Sequence, residues 1–176
     1  MKACPDILKK LTPSQRHSLF GEVMSLLISS DLHCKYHISD FGMVFIPALN
    51  WNQFRIYKIK KEPIALITWA FMSKEVEKKY LSGDYSLRPK DWHSGDRAWV
   101  IDFLAPFGHA KEVMKDLKYK IFPNDVGRSV RILSEGKIKG VYEWRGGNVS
   151  KKEQKERLKP LASEDIFSKK KSVFNY

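Results

Sequence analysis

Asp91-Trp92-His93-Ser94-Gly95-Asp96-Arg97-Ala98-Trp99-Val100-Ile101-Asp102-Phe103-Leu104-Ala105-Pro106-Phe107-Gly108 opens as a polar turn, runs through apolar and aromatic residues, and closes on Ala-Pro-Phe-Gly. The run from Trp99 to Leu104, bounded by Gly95 and Pro106, predicts a buried strand. Asp102 sets a carboxylate inside that strand. An unpaired buried charge costs several kcal/mol, so Asp102 needs a partner or a cleft to point into. Two partners are open: an arginine such as Arg97 or Arg131 in a structural ion pair, or an imidazole that the carboxylate orients.

On the N-terminal side, Thr12-Pro13-Ser14-Gln15 has the form of a capping box with proline at the first helical position. Leu19, Phe20, Val23, Leu26 and Leu27 recur at helical spacing behind it, so a helix should bury one face until about Ser29. Residues 30–37 break the period and predict a loop. Three strands are expected next: Phe41 to Pro47, short and apolar; Gln53 to Lys60, alternating with its lysines outward; and Ile64 to Met72, long and apolar. The close spacing of the last two predicts an antiparallel hairpin turning near Lys61-Glu62-Pro63. Ser73 caps a helix to about Leu81 that reads as exposed, being rich in Glu and Lys.

On the C-terminal side, Gly108 to Phe122 reads as a helix with Ala110, Val113, Met114, Leu117 and Ile121 as its apolar stripe. Two strands follow, Ser129 to Leu133 and Ile138 to Trp144, with a turn at Glu135-Gly136-Lys137. A strand–helix–strand passage set among hairpins predicts an α/β (α+β) single domain, a mixed sheet flanked by helices and compatible with an acetyltransferase-like fold. The domain is assigned to residues 1–149, and residues 150–176 to a basic, lysine-rich tail.

The chain of 176 residues is long enough for one core, and its formal charge of +12 favours an anionic partner. From Lys151 onward there are eight Lys and Arg against four Asp and Glu, so the tail holds +4 and the body the larger share. No apolar run approaches the ~20 residues that span a bilayer, so stable membrane insertion is not expected. The N-terminus lacks the apolar core of a secretory signal, which predicts a cytoplasmic protein. Cys4 and Cys34 are too few for a disulfide framework and read as reduced thiols.

His33 follows the first helix in a loop and is a candidate base; the plainer reading is a surface histidine. His17, His37, His93 and His109 read as surface, turn or helix-start residues. Cys34 beside His33 hints at a thiol nucleophile, but sequence neighbours rarely face each other. No His/Cys/Asp cluster has metal-ligand spacing, and neither a Gly-x-Gly-x-x-Gly nor a Walker pattern occurs. Arg128 and Arg131 flank a strand entrance and are candidates for phosphate or carboxylate binding.

These residues also resemble a known family, the toxin-activating lysine acyltransferases encoded beside RTX toxins. The resemblance rests on Ser29-Ser30-Asp31-Leu32-His33, Thr68-Trp69-Ala70, Asp91-Trp92 with Ser94-Gly95-Asp96-Arg97, and above all Ile101-Asp102-Phe103-Leu104-Ala105-Pro106-Phe107-Gly108. Phe122-Pro123 and Val126-Gly127-Arg128-Ser129-Val130-Arg131 add to it, in register from about Leu11 to Gly147. It implies a GNAT-like acyltransferase domain that moves a fatty acyl group from acyl-acyl carrier protein to internal lysines of an RTX protoxin. No cofactor is implied beyond the phosphopantetheine thioester of the donor, and a homodimer is compatible with it. The family's essential histidine falls on His33, its aspartate on Asp102, and a supporting serine on Ser30. Asp31 and Val44 depart from the proline and asparagine common in the family. Two other readings stand beside it: a basic nucleic-acid-binding module, for which no recognition element is visible, and an acetyl-coenzyme A-dependent small-molecule N-acetyltransferase, for which the Gly-rich pyrophosphate loop is missing.

Overall fold

A computed structural model describes residues 7–83, 85–133 and 137–161. After a helical turn, α1 (Ile7–Lys10), the long helix α2 (Pro13–Ile28) begins on the expected capping box. The Thr12 hydroxyl accepts from the Gln15 amide, and the Gln15 side chain accepts from the Thr12 amide. Val23, Leu26 and Leu27 carry its buried face.

The segment expected to be the first strand is helical instead. Continuing from α3 (Ile38–Asp40), Phe41 to Pro47 forms a π turn (Phe41–Phe45) and the start of α4 (Ile46–Trp51). Phe41, Val44, Phe45, Ala48 and Leu49 recur at helical spacing, and Pro47 sits in the first turn of α4, where no amide hydrogen is needed. A short apolar run does not reveal its own period; here the stripe continues past Pro47 to Ala48 and Leu49.

The two following strands form the predicted hairpin: β1 (Phe54–Ile59) and β2 (Glu62–Met72) are antiparallel, with Lys60-Lys61 as a two-residue turn. Ser73 caps α5 (Lys74–Ser82) through a bond from the Val76 amide. This helix is less exposed than its composition suggested, because Glu77 is buried. A 3-10 turn (Pro89–Trp92) leads into β3 (Arg97–Leu104). Next come α6 (Ala110–Asp116), a π turn (Leu117–Ile121), β4 (Val126–Ile132) and β5 (Ile138–Arg145). The sheet runs β1-β2-β3-β4-β5 and is mixed, as expected: β3 and β4 are parallel, and every other pair is antiparallel. Residues 105–125, carrying α6, make the crossover that a parallel pair requires.

On one sheet face Ala65, Ile67 and Trp69 of β2 pack with Ala98 and Val100 of β3 beneath Val113 and Leu117. Gly127 lets this layer close, since a Cβ there would lie 2.3 Å from the Trp144 ring and 2.5 Å from the Ala98 carbonyl. The other face holds Ala70, Met72 and Trp99 against α5, and Leu66 and Leu104 against α2 and Phe45.

Beyond Gly146-Gly147 the chain forms α7 (Lys151–Arg157) and returns to the sheet. The Lys159 carbonyl accepts from Arg128 Nη2 at 2.6 Å, and Leu161 packs beside Val130 and Val141. The remainder of the tail, Cys4 and the turn at Glu135-Gly136 lie outside the described residues. No described helix is long and apolar enough to cross a membrane.

Candidate active site

Two irregularities in the sheet create the site. First, β3 and β4 pair only at Ala98–Gly127, Trp99–Arg128 and Val100–Ser129, then part. Second, the β2–β3 register slips just where that pairing ends. Ile67 faces Phe103 and Trp69 faces Val100, so Ile101 and Asp102 together oppose the single residue Thr68. This is a β-bulge, a device that ends pairing and re-aims side chains. Its effect shows in the packing: Val100 joins the α6 face, whereas Leu104 joins the opposite face beside Leu66. Unbroken alternation would have put Val100, Asp102 and Leu104 on one side.

Where the strands separate there is a cavity of about 540 Å³. Val100 to Phe103 of β3 and Ser129 to Ile132 of β4 form its walls, with Met114 and Leu117 from the α6 side and Leu32, His33 and Tyr36 from the α2 side. Its lining is chiefly apolar; His33 and Asp102 pair at its wall, and β4 and β5 add Ser129, Arg131 and Tyr142.

His33 reaches Asp102 through a tight local fold. After α2 the Ser30 amide donates to the Leu27 carbonyl, and the Cys34 amide to the Ser30 carbonyl at 2.9 Å. A 3-10 turn (His33–Lys35) then puts Ser30 and His33 on one side of the chain. Ser30 Oγ lies 2.7 Å from His33 Nδ1, and His33 Nε2 lies 3.6 Å from Asp102 Oδ1. Both members of the pair are buried, His33 at 6% exposure and Asp102 at 3%. The other carboxylate oxygen accepts from the Thr68 hydroxyl at 3.0 Å, and that hydroxyl accepts from the Asp102 amide at 3.1 Å. Tyr36 lays its ring against His33, with centroids 5.1 Å apart. Burial, then the charge of Asp102, pushes the phenols of Tyr36 and Tyr80 above their ordinary range.

Of the residues singled out from sequence, Ser30, His33 and Asp102 therefore converge. Arg131 is exposed and lines the same cavity. Arg128 does not line it; at 2% exposure it pairs with Glu77 at 3.0 Å and Glu143 at 3.1 Å. Arg97, a possible partner for Asp102, pairs with Glu77 instead. Cys34 is exposed and free, while His93 accepts a place between Gln53, Trp51 and Phe71. Among the described residues, no group of three or more His, Cys, Asp or Glu is gathered to hold a metal. Sequence reasoning missed Tyr36 and gave Thr68 no role, although a threonine amid the apolar run Ile64 to Met72 was a visible signal.

A family model described as the RTX toxin acyltransferase family, HlyC, matches residues 12–145, the span that holds the whole site. The chain belongs to that family. It is 36% identical over 159 residues to the protein-lysine myristoyltransferase HlyC of Escherichia coli, covering 90% of this chain and 93% of that protein. The RTX-I toxin-activating lysine-acyltransferase ApxIC of Actinobacillus pleuropneumoniae is 38% identical over 134 residues, 76% of this chain and 77% of its own length. The leukotoxin-activating lysine-acyltransferase LtxC of Aggregatibacter actinomycetemcomitans is 40% identical over 136 residues, 76% and 79% of the two chains.

Proposed function

We propose that this protein, working in the cytoplasm, transfers a fatty acyl group from acyl-acyl carrier protein to internal lysine side chains of an RTX-type protoxin. The observation that carries the reading is the buried His33–Asp102 pair at the wall of an apolar cavity. Membership of a family whose named relatives are lysine acyltransferases supports the acceptor chemistry. The donor is the one that the resemblance to the family implies, and the charge of +12 suits an acidic carrier presenting a phosphopantetheine thioester.

A lysine amine has a reference pKa of roughly 10.4, so near pH 7 only about one in 10³ is free to attack. That free amine must lose one more proton as the C–N bond forms, and a histidine at the reacting nitrogen is suited to take it. In the proposed reaction His33 donates its Nδ1 hydrogen to Ser30, which leaves the Nε2 lone pair facing the cleft. The amine attacks the thioester carbonyl directly and Nε2 takes its proton. The resulting imidazolium lies against the Asp102 carboxylate, which stabilises it. Collapse of the adduct forms the amide C–N bond and breaks the C–S bond, and the imidazolium returns its proton to the departing thiolate. The acyl chain occupies the apolar cavity.

Mass spectrometry of a protoxin incubated with acyl-acyl carrier protein tests the whole reading: an acyl increment on lysine is expected, and its absence with every donor refutes it. His33→Ala should abolish transfer in a protein that still folds, since His33 lies outside the sheet and Asp102 keeps its bond from Thr68 at the cavity wall. Initial rates equal to wild type would eliminate His33 as the base. Asp102→Asn should still bind the carrier and lose most turnover.

A further inference from the structure

The bulge that aims Asp102 has a single side chain at its centre. Thr68 is fully buried, lies opposite both Ile101 and Asp102, and spends its one hydroxyl on Asp102 twice. As donor it occupies Oδ2, which leaves Oδ1 as the oxygen turned to His33. As acceptor it takes the Asp102 amide, whose ladder partner the register slip displaces. One hydroxyl thus fixes both the backbone and the carboxylate of the same residue.

We infer that Thr68 is a positioning residue for acyl transfer: it holds the β3 bulge and keeps Oδ1 of Asp102 directed at His33. The inference rests on the proposed roles of His33 and Asp102. Thr68 does not line the cavity and has no contact with substrate to lose. Its contribution belongs to the turnover step, through the stabilisation of the imidazolium. A valine of the same shape removes the donor and leaves Oδ2 and the Asp102 amide unpaired inside the sheet.

The experiment is a cycle of Thr68→Val, Thr68→Ser, Asp102→Asn and the Thr68→Val/Asp102→Asn double variant, each assayed for kcat and for KM toward acyl carrier and protoxin. Thr68→Val should lower kcat at least tenfold with both KM values within about twofold of wild type, the pattern of an interaction made in the transition state. Thr68→Ser, which keeps the hydroxyl, should recover activity to within about threefold, and in the Asp102→Asn background Thr68→Val should add less than about twofold. If the valine variant fails to fold, Thr68→Ala, which leaves room for water, enters the same comparison. Full turnover in Thr68→Val overturns the inference, as does a loss that serine does not recover or that persists undiminished without the Asp102 charge. An Asp102→Asn enzyme as fast as wild type would instead overturn the role given to Asp102.

Discussion

Truncating Glu77 to alanine should destabilise the fold by about 4 kcal/mol, a large share of the ~5–15 kcal/mol that holds an ordinary domain together. Glu77 is the hub of the sheet's far side. Its Oε1 accepts from Arg128 Nη1 at 3.0 Å and Trp99 Nε1 at 2.9 Å, and its Oε2 accepts from Arg97 Nη1 at 2.9 Å. Arg97 is one-third exposed and will find water once freed. Arg128 will not. Breaking a buried ion pair from one side costs about 3–5 kcal/mol, and the retained bond to Glu143 argues for the lower end, ~3. The Trp99 N–H, left unsatisfied in the core, adds about 1 kcal/mol. With a urea dependence of roughly 2 kcal/mol per molar for a chain of this size, the midpoint should fall by about 2 M. Urea unfolding followed by tryptophan fluorescence measures it. Pairing Glu77→Ala with Arg128→Met should recover part of the loss, because the orphaned charge leaves with its partner. A single variant that loses under about 1 kcal/mol, or a double variant whose losses merely add, refutes the claim that this buried pair is the cause.

Met114 projects into the cavity from α6, so Met114→Trp should shorten the space for an acyl chain and shift preference toward shorter donors. Each methylene denied burial costs about 0.8 kcal/mol, or roughly fourfold, and a competition between short- and long-chain acyl carriers with an unchanged product ratio would rule out this cavity as the acyl seat. At the β1–β2 turn, Lys60 and Lys61 have φ of +49° and +81°, the left-handed region that suits Asn-Gly far better than lysine. Lys60→Asn with Lys61→Gly should stabilise by about 1 kcal/mol and raise Tm by roughly 2–4 °C in calorimetry. A lower Tm would mean that the lysines make contacts outweighing their strain.

Elements with a long, clean period or an explicit cap could be read from the residues: α2 behind its capping box, the β1–β2 hairpin, and the helix that follows the Ala-Pro-Phe-Gly turn. Phe41 to Pro47 failed because a run of that length is equally apolar as a strand or as part of a helix. The exposed reading of α5 failed for another reason. Composition counted Glu77 among solvated charges, whereas its burial depends on donors from β3 and β4 that only the fold assembles. Arg128 illustrates the same limit, since an arginine at a strand entrance looks alike in sequence whether it awaits a ligand or is already paired.

Asp102 is the sharper case. Its anomaly was visible as a carboxylate in an apolar strand, yet the same pattern pointed to the wrong face. Strict alternation groups Asp102 with Val100 and Leu104, and Val100 faces α6, away from the helix that delivers His33. The pair meets because β3 carries one residue more than β2 at this point, and a period of two cannot register a single inserted residue. What the sequence did contain was the polar counterpart of the defect. Thr68 is the one hydroxyl between Ile64 and Met72, and it sits opposite the surplus residue. A lone threonine in one buried strand and a lone aspartate in its neighbour together mark a displaced register, because each satisfies the groups that the displacement leaves unpaired. The site's geometry therefore depends on an irregularity that regular patterning conceals, and the residue that betrays it is also the one proposed to maintain it.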